Sequence, residues 1–233
     1  MKSVLQQKGT GALQQGYDAL FETHKKWWAE YNGKSSVTVP DVYTQNRYNM
    51  GNYLLGAASR RGCYPMPLQG LWTACDDKFL PPWKGDYHHD LNTEMTYYSY
   101  LKANRLEQGL SFLDYLSSLT ERGRAFAKGF YNAEGICLPS VMDIDGYAMG
   151  GWAMYSLSPT NQIWLCQGFE RYYTYTCDIE FLKKRHIRLW NSPQGVFFRF
   201  CKRTVTDIMY CRFRVLPKFT IVQKSVFNAQ SQL

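Results

Sequence analysis

The sequence predicts a mainly α fold, its helices arranged as an α/α toroid whose long connections gather at one end and build a cleft. Three observations carry this. Apolar residues recur at three- and four-residue steps over most of the first 180 positions. The helical stretches are joined alternately by short turns and by long connections rich in Gly and Trp. No β-α-β alternation, P-loop or GxGxxG run interrupts that pattern.

The first helix is expected over residues 11–31, from Leu13, Tyr17, Leu20, Phe21, Trp27, Trp28 and Tyr31. A connection with Gly33 and Pro40 follows, then a second helix over 42–59 that ends in basic residues before Gly62. Residues 62–90 lack helical period and form a long structured connection, the kind that is usually functional. Helical pattern resumes over 92–104. It continues over 106–130, with Leu106, Leu110, Leu113, Leu116 and Leu119 on one side. A second Gly-rich connection covers 132–159, a helix covers 161–176, and Asp178 caps another that begins at Ile179.

Charge divides the chain. The net of +8 invites a nucleic-acid reading, yet residues 1–180 carry a net of −2 and residues 181–233 a net of +10. The whole basic surplus therefore sits in the tail, and a nucleic-acid partner is not expected. Seven scattered cysteines contain no CxxC pair and none at metal-ligand spacing with a histidine. Reduced thiols are the expectation, which favours a cytoplasmic setting. No signal-peptide run and no stretch of membrane-spanning length occurs, so no membrane partner is expected.

The aromatic fraction, 16 %, is high. Tyr and Trp beyond core needs line carbohydrate clefts, where a flat ring covers the apolar face of a sugar; a Tyr-rich helical core is the competing reading. Two connections hold the candidate chemistry. Residues 65–95 offer Trp72 and Trp83 as stacking rings, then Asp86, His88, His89 and Asp90 as ionisable groups. Asn92 and Glu94 open the next helix, where Asn92 can equally act as a helix cap and Glu94 as a first-turn charge. His88 and His89 are neighbours whose side chains point apart, a poor chelating pair, so no metal and no cofactor is expected. Residues 140–182 bring Trp152 after a Gly-Gly pair, with Asp143 and Asp145 as candidate hydroxyl acceptors. The stripe Trp164, Phe169, Tyr172, Tyr173 and Tyr175 reads as helix core rather than ligand cage.

In order and spacing, LQGLW, PPWKGDYHHDLNTEMTYY, MGGW and IWLCQGFERYYTYTCDIEFL resemble the motifs of glycoside hydrolase family 95, the α-L-fucosidases, across about residues 24–185. The resemblance implies part of an (α/α)6 barrel and inverting hydrolysis of a terminal α-linked L-fucose or a related sugar, with a glycan as partner. Inversion needs one carboxylic acid to protonate the leaving oxygen and a separate base to activate water. Asn92 matches the second amide of the family's water-holding Asn-x-Asn element, and Asp90 stands where many members have the first. Asp90 and Asn92 are thus the implied catalytic residues. Trp72, Trp83, Asp86, His88, His89, Glu94 and Trp152 are the candidate sugar contacts. Asp90 in place of an amide keeps a different sugar open, as in α-L-rhamnosidase-like or α-L-galactosidase-like enzymes. A non-catalytic carbohydrate-binding remnant is the remaining alternative.

The family's general acid lies in a Ser-Pro-Glu motif that these 233 residues do not contain. A one-nucleotide slip in the reading frame near Arg185 accounts for both that gap and the basic tail. Read one base out of register, residues 208–219 permit Tyr-Val-Leu-Pro-Phe-Ser-Ser-Ser-Pro-Glu-Ile-His, with Val and Leu forced by Met209, Tyr210 and Cys211. The expected organisation is a partial catalytic domain over 1–185 and an anomalous, poorly ordered tail over 186–233, together without glycosidase activity.

Overall fold

The computed structural model describes residues 2–71, 82–150, 161–181 and 183. Its first helix, α1 (Lys2–Gly33), starts well before the predicted position and is broken at Gly16, with φ 77° and ψ 165°. The early turns, KSVLQQKGT, hold two Lys and two Gln and no repeating apolar stripe to read. Leu13, Tyr17 and Phe21 stay exposed, and the far end of α1 is packed. There Tyr31 is buried, and its hydroxyl donates to the Asn52 carbonyl on α2 (Val42–Ala58) at 2.7 Å. Asp41 caps α2, accepting from the Thr44 amide at 2.8 Å.

The next elements depart from the expected pattern. Tyr87–His88 (β1) and Val141–Met142 (β2) form a short antiparallel ladder, pairing Tyr87 with Met142 and His88 with Val141. Strands of two residues leave no alternation to detect, so both stretches read as loop. The helix expected over 92–104 is confined to α3 (Asn92–Thr96). Residues beyond it turn, because Tyr97 and Tyr100 are drawn inward and Asn104 adopts φ 53°. The helix expected over 106–130 is two, α4 (Leu106–Ser118) and α5 (Thr120–Tyr131), separated at Leu119. The predicted leucine row holds: Leu110, Leu113, Leu116 and Leu119 are buried and Leu106 packs against them. Two further helices, α6 (Asn161–Thr176) and α7 (Ile179–Phe181), fall where expected. Asp178 accepts from the Phe181 amide at 2.8 Å, the predicted cap.

Helix α4 lies at the centre, buried from Gln108 through Leu113 and again at Tyr115 and Leu116. A helix apolar nearly all round needs neighbours on both sides. Leu165 and Phe169 of α6 cover one side in the same core cluster as Leu55, Tyr97 and Met142. Gly109 permits the closest approach: a Cβ there would fall 2.2 Å from the Tyr100 ring.

A buried polar cluster ties α2, α3 and α4 together. The Ser59 hydroxyl contacts Tyr97 Oη at 2.9 Å and Ser111 Oγ at 2.8 Å, and donates to the Gln108 carbonyl at 2.9 Å. Tyr97 Oη also accepts from the Met66 amide at 2.8 Å. The cluster fixes the end of α3 and thereby the segment that precedes it.

Among the described residues no helix is long and apolar enough to cross a membrane. Cys63, Cys137, Cys166 and Cys177 are free thiols.

Candidate active site

The connection into α3 is built from an unusual backbone. Trp83 and Lys84 both sit at φ 59°, followed by Gly85 at φ 67°. Three successive left-handed residues, two with side chains, cost about 1–2 kcal/mol per non-glycine. They reverse the chain so that Trp83 stays about half exposed while Asp86 turns inward. The Asp86 backbone is pinned on both sides: its amide donates to the Trp83 carbonyl at 3.3 Å, and its carbonyl accepts from Leu68 at 2.8 Å.

From Asp86 the chain is extended, so alternate side chains part company. Asp86 and His88 share one face, where Asp86 Oδ1 meets His88 Nδ1 at 2.8 Å and the Trp83 ring meets the imidazole edge-on at 5.7 Å. Burial pushes the Asp86 carboxyl above its ordinary range, partly offset by His88, while the Asp90 charge adds to the rise. Tyr87 and His89 take the other face. Tyr87 is buried against Tyr115 at 5.0 Å, and its hydroxyl donates to Pro65. His89 is fully enclosed, stacked on Tyr87 and tilted against Phe112, with neither ring nitrogen hydrogen-bonded. Burial holds its pKa down at about 3, so it is neutral. It faces core rather than a cleft.

The amide of His89 donates to the Ser140 carbonyl at 2.6 Å, and Thr93 Oγ1 donates to the His88 carbonyl at 2.6 Å. These bonds lock the turn holding Asp90, which is half-buried. Asn92 does not cap α3. It is the first helical residue, the cap position is Leu91, and no side chain bonds the helix start. The Asn92 side chain is exposed. Glu94 differs sharply: both carboxyl oxygens are buried without a hydrogen-bond partner. Burial pushes its pKa up to about 7, with the Asp90 charge adding to the rise. Asp90 therefore acts electrostatically on the carboxyls on both sides of it.

Glu94 lines a small pocket of about 120 Å³ with Tyr98, Trp164, Gln167 and Arg171. Sequence reading assigned Trp164 to the core and passed over Gln167 and Arg171. The four-residue step from Gln167 to Arg171, beside Trp164, is a polar helical face that the pattern does contain. In the same stripe Phe169 and Tyr172 are core, as expected, whereas Tyr175 is exposed. Asp143 serves its own turn, accepting from the amides of Asp145 and Tyr147 at 3.0 and 2.8 Å. Trp72 and Trp152 lie outside the described residues. No group of three His, Cys, Asp or Glu side chains among the described residues is placed to hold a metal.

The described residues are mainly helical and packed around α4, with a carboxylate-bearing connection leading into α3. The family model described as Glycosyl hydrolase family 95 catalytic domain matches residues 18–204, and the chain belongs to this family of glycosidases, whose catalytic domain is a helical (α/α)6 toroid. The match runs beyond Arg185 into the basic segment. The chain is 37 % identical over 140 residues to Alpha-L-fucosidase 2 of Arabidopsis thaliana, covering 59 % of this chain and 16 % of that protein. It is 26 % identical over 197 residues to Probable alpha-fucosidase A of Aspergillus niger, covering 74 % of this chain and 24 % of that protein. The chain thus spans about a quarter or less of the length of these relatives.

Proposed function

We propose that this chain is part of an inverting glycoside hydrolase of the α-L-fucosidase type, releasing a terminal α-linked L-fucose from a glycan. The observation that carries the reading is the Asp90–Asn92 segment. It is held rigidly by the β1–β2 ladder and the Thr93 bond, with a half-buried carboxylate beside an exposed amide. Such a pair suits a water: Asn92 orients it through hydrogen bonds and Asp90 accepts its proton as it attacks the anomeric carbon. Trp83, about half exposed and edge-on to the His88 ring, is proposed as a sugar platform. Asp86 and His88 hold the turn in place from below, and His89 does so through packing. Trp72 and Trp152 are proposed as further sugar platforms.

The leaving oxygen needs a proton donor, and the Ser-Pro-Glu motif that supplies it in the family is not encoded in these 233 residues. We propose a shifted reading frame for residues 186–233, a reading that the family match over residues 186–204 runs against. The purified 233-residue protein is expected to leave an aryl α-L-fucoside intact, while protein made from the gene with the frame restored hydrolyses it. Asp90→Ala and Asn92→Ala in the restored protein then each lower kcat by at least a hundredfold. Robust turnover by the 233-residue chain, or a gene whose shifted frame encodes no Ser-Pro-Glu, defeats the truncation.

Asp90 standing where an amide is common favours a second reading, a related α-L-galactosidase or α-L-rhamnosidase. A panel of aryl glycosides offered to the restored protein separates the sugars by their kcat/KM values.

A further inference from the structure

A second pocket lies between the end of α1, the connection that follows it and α2, on residues distinct from those of the Glu94 pocket. It encloses about 340 Å³, within the ~300–1,000 Å³ range typical of ligand sites. Close helix approach shapes it: a Cβ on Gly56 of α2 would fall 2.8 Å from the Tyr31 ring of α1. The connection is tied down on both sides. Ser35 Oγ donates to the Ala103 carbonyl at 2.6 Å, and Asn104 Nδ2 donates to the Lys34 carbonyl at 3.2 Å. Gln45 of α2 donates through Nε2 to the Val37 carbonyl at 3.1 Å and accepts from the Val39 amide at 2.9 Å. The pocket is therefore formed before any ligand arrives, which spares binding the cost of ordering it.

No charge is offered to this space by the described lining residues. Arg105 alone among them is ionised, and it is 2 % exposed. Its guanidinium bonds the Ser35 carbonyl and the Tyr31 side chain and lies 4.1 Å from that ring's centroid. It closes the floor by its shape and not as a cation.

The groups that do face the space are neutral. The side chains of Asn32, Ser36, Tyr48 and Tyr53 make no hydrogen bond with any described residue. Asn49 uses only its side-chain oxygen, which accepts from Gln45 Nε2 at 3.0 Å. Asn52 uses only its side-chain nitrogen, which donates to the Tyr48 carbonyl at 3.0 Å. Tyr53 stacks on Trp28 at 5.2 Å and is still about half exposed.

We infer that this pocket binds a neutral monosaccharide unit, with its hydroxyls on Asn32, Asn49 and Asn52 and its apolar face on Tyr53. A sugar hydroxyl both donates and accepts, and carboxamides and hydroxyls answer both needs at once. An anion would find no cation here, and an apolar ring would cover the amides without bonding them, which is costly. Tyr53 supplies the flat surface that a pyranose face covers. The site uses none of the residues proposed for catalysis and requires no hydrolysis.

The test is an NMR titration of the purified 233-residue protein with methyl α-L-fucoside, methyl β-galactoside and methyl β-xyloside, beside methyl galacturonoside and cyclohexanol. At least one neutral glycoside is expected to shift the side-chain amide signals of Asn32 and Asn49 saturably. Its affinity should exceed that of the uronoside and of cyclohexanol at least threefold. Tyr53→Ala and Asn49→Ala, both at exposed positions, should each weaken it at least threefold with the circular dichroism unchanged. Three results each overturn the inference: no saturable shift with any neutral glycoside, a preference below threefold over either control, or shifts confined to Asn92, which would put the sugar at the catalytic turn instead.

Discussion

Asp86 and His88 meet at 2.8 Å, Oδ1 to Nδ1, beneath the half-exposed ring of Trp83. Two residues apart on an extended chain, they fall on one face, while Tyr87 and His89 between and beyond them enter the core. The contact therefore marks the line along which this connection separates its polar face from its structural one. A neutral imidazole that donates here must carry its proton on Nδ1.

The pairing predicts an asymmetric cost. His88→Ala leaves the buried Asp86 carboxyl without its ring partner, and about 1–3 kcal/mol of stability is expected to go with it. Replacing both residues together by apolar ones of similar size costs less than the two single changes added. Chemical unfolding of the three variants measures the difference.

Glu94 makes a prediction with a definite sign. Its folded pKa of about 7 lies above the ordinary 4.5, so the folded state binds a proton that the unfolded state has released. Stability is therefore undiminished below pH 4.5, falls as pH rises from 4.5 to 7, and levels off above. Glu94→Gln removes that dependence. The variant gains on the order of 2–3 kcal/mol over the parent at pH 8 and little at pH 4. Denaturant midpoints at the two pH values decide it.

Gly109→Ala drives a methyl into the Tyr100 ring, 2.2 Å from the new Cβ, and is expected to cost about 1–3 kcal/mol or more. Adding Tyr100→Ala relieves the clash, so the double change falls short of the sum of the single ones. Thermal unfolding reads both.

Lys84 sits at φ 59° with nothing about its backbone that needs a side chain. Lys84→Gly is expected to stabilise by about 1 kcal/mol by removing the left-handed penalty. The melting temperature should rise while the Asp86–His88 contact is retained.

Ser59 stands at the junction of three helices through Tyr97, Ser111 and the Gln108 carbonyl. Ser59→Ala leaves buried polar atoms unpaired and is expected to cost about 1–3 kcal/mol. Faster amide exchange through α3 would show the loosening reaching the Asp90–Asn92 turn.

What the sequence alone determined is whatever repeats along it. The leucine row of α4, the full length of α6 and the Asp178 cap were legible because a helix writes its buried face at a fixed period. The crowding of Asp86, His88, Asp90, Asn92 and Glu94 was legible for the same local reason, being contiguous. Tertiary structure decided which of them face where. His89 is enclosed, Asn92 is exposed rather than capping, and Glu94 is drawn into a pocket with Trp164 and Arg171 from a helix some seventy residues later. The break at Leu119 and the left-handed Trp83 were equally silent. Each depends on contacts between segments distant in the chain, and distance along the chain is the one thing that periodicity cannot see across.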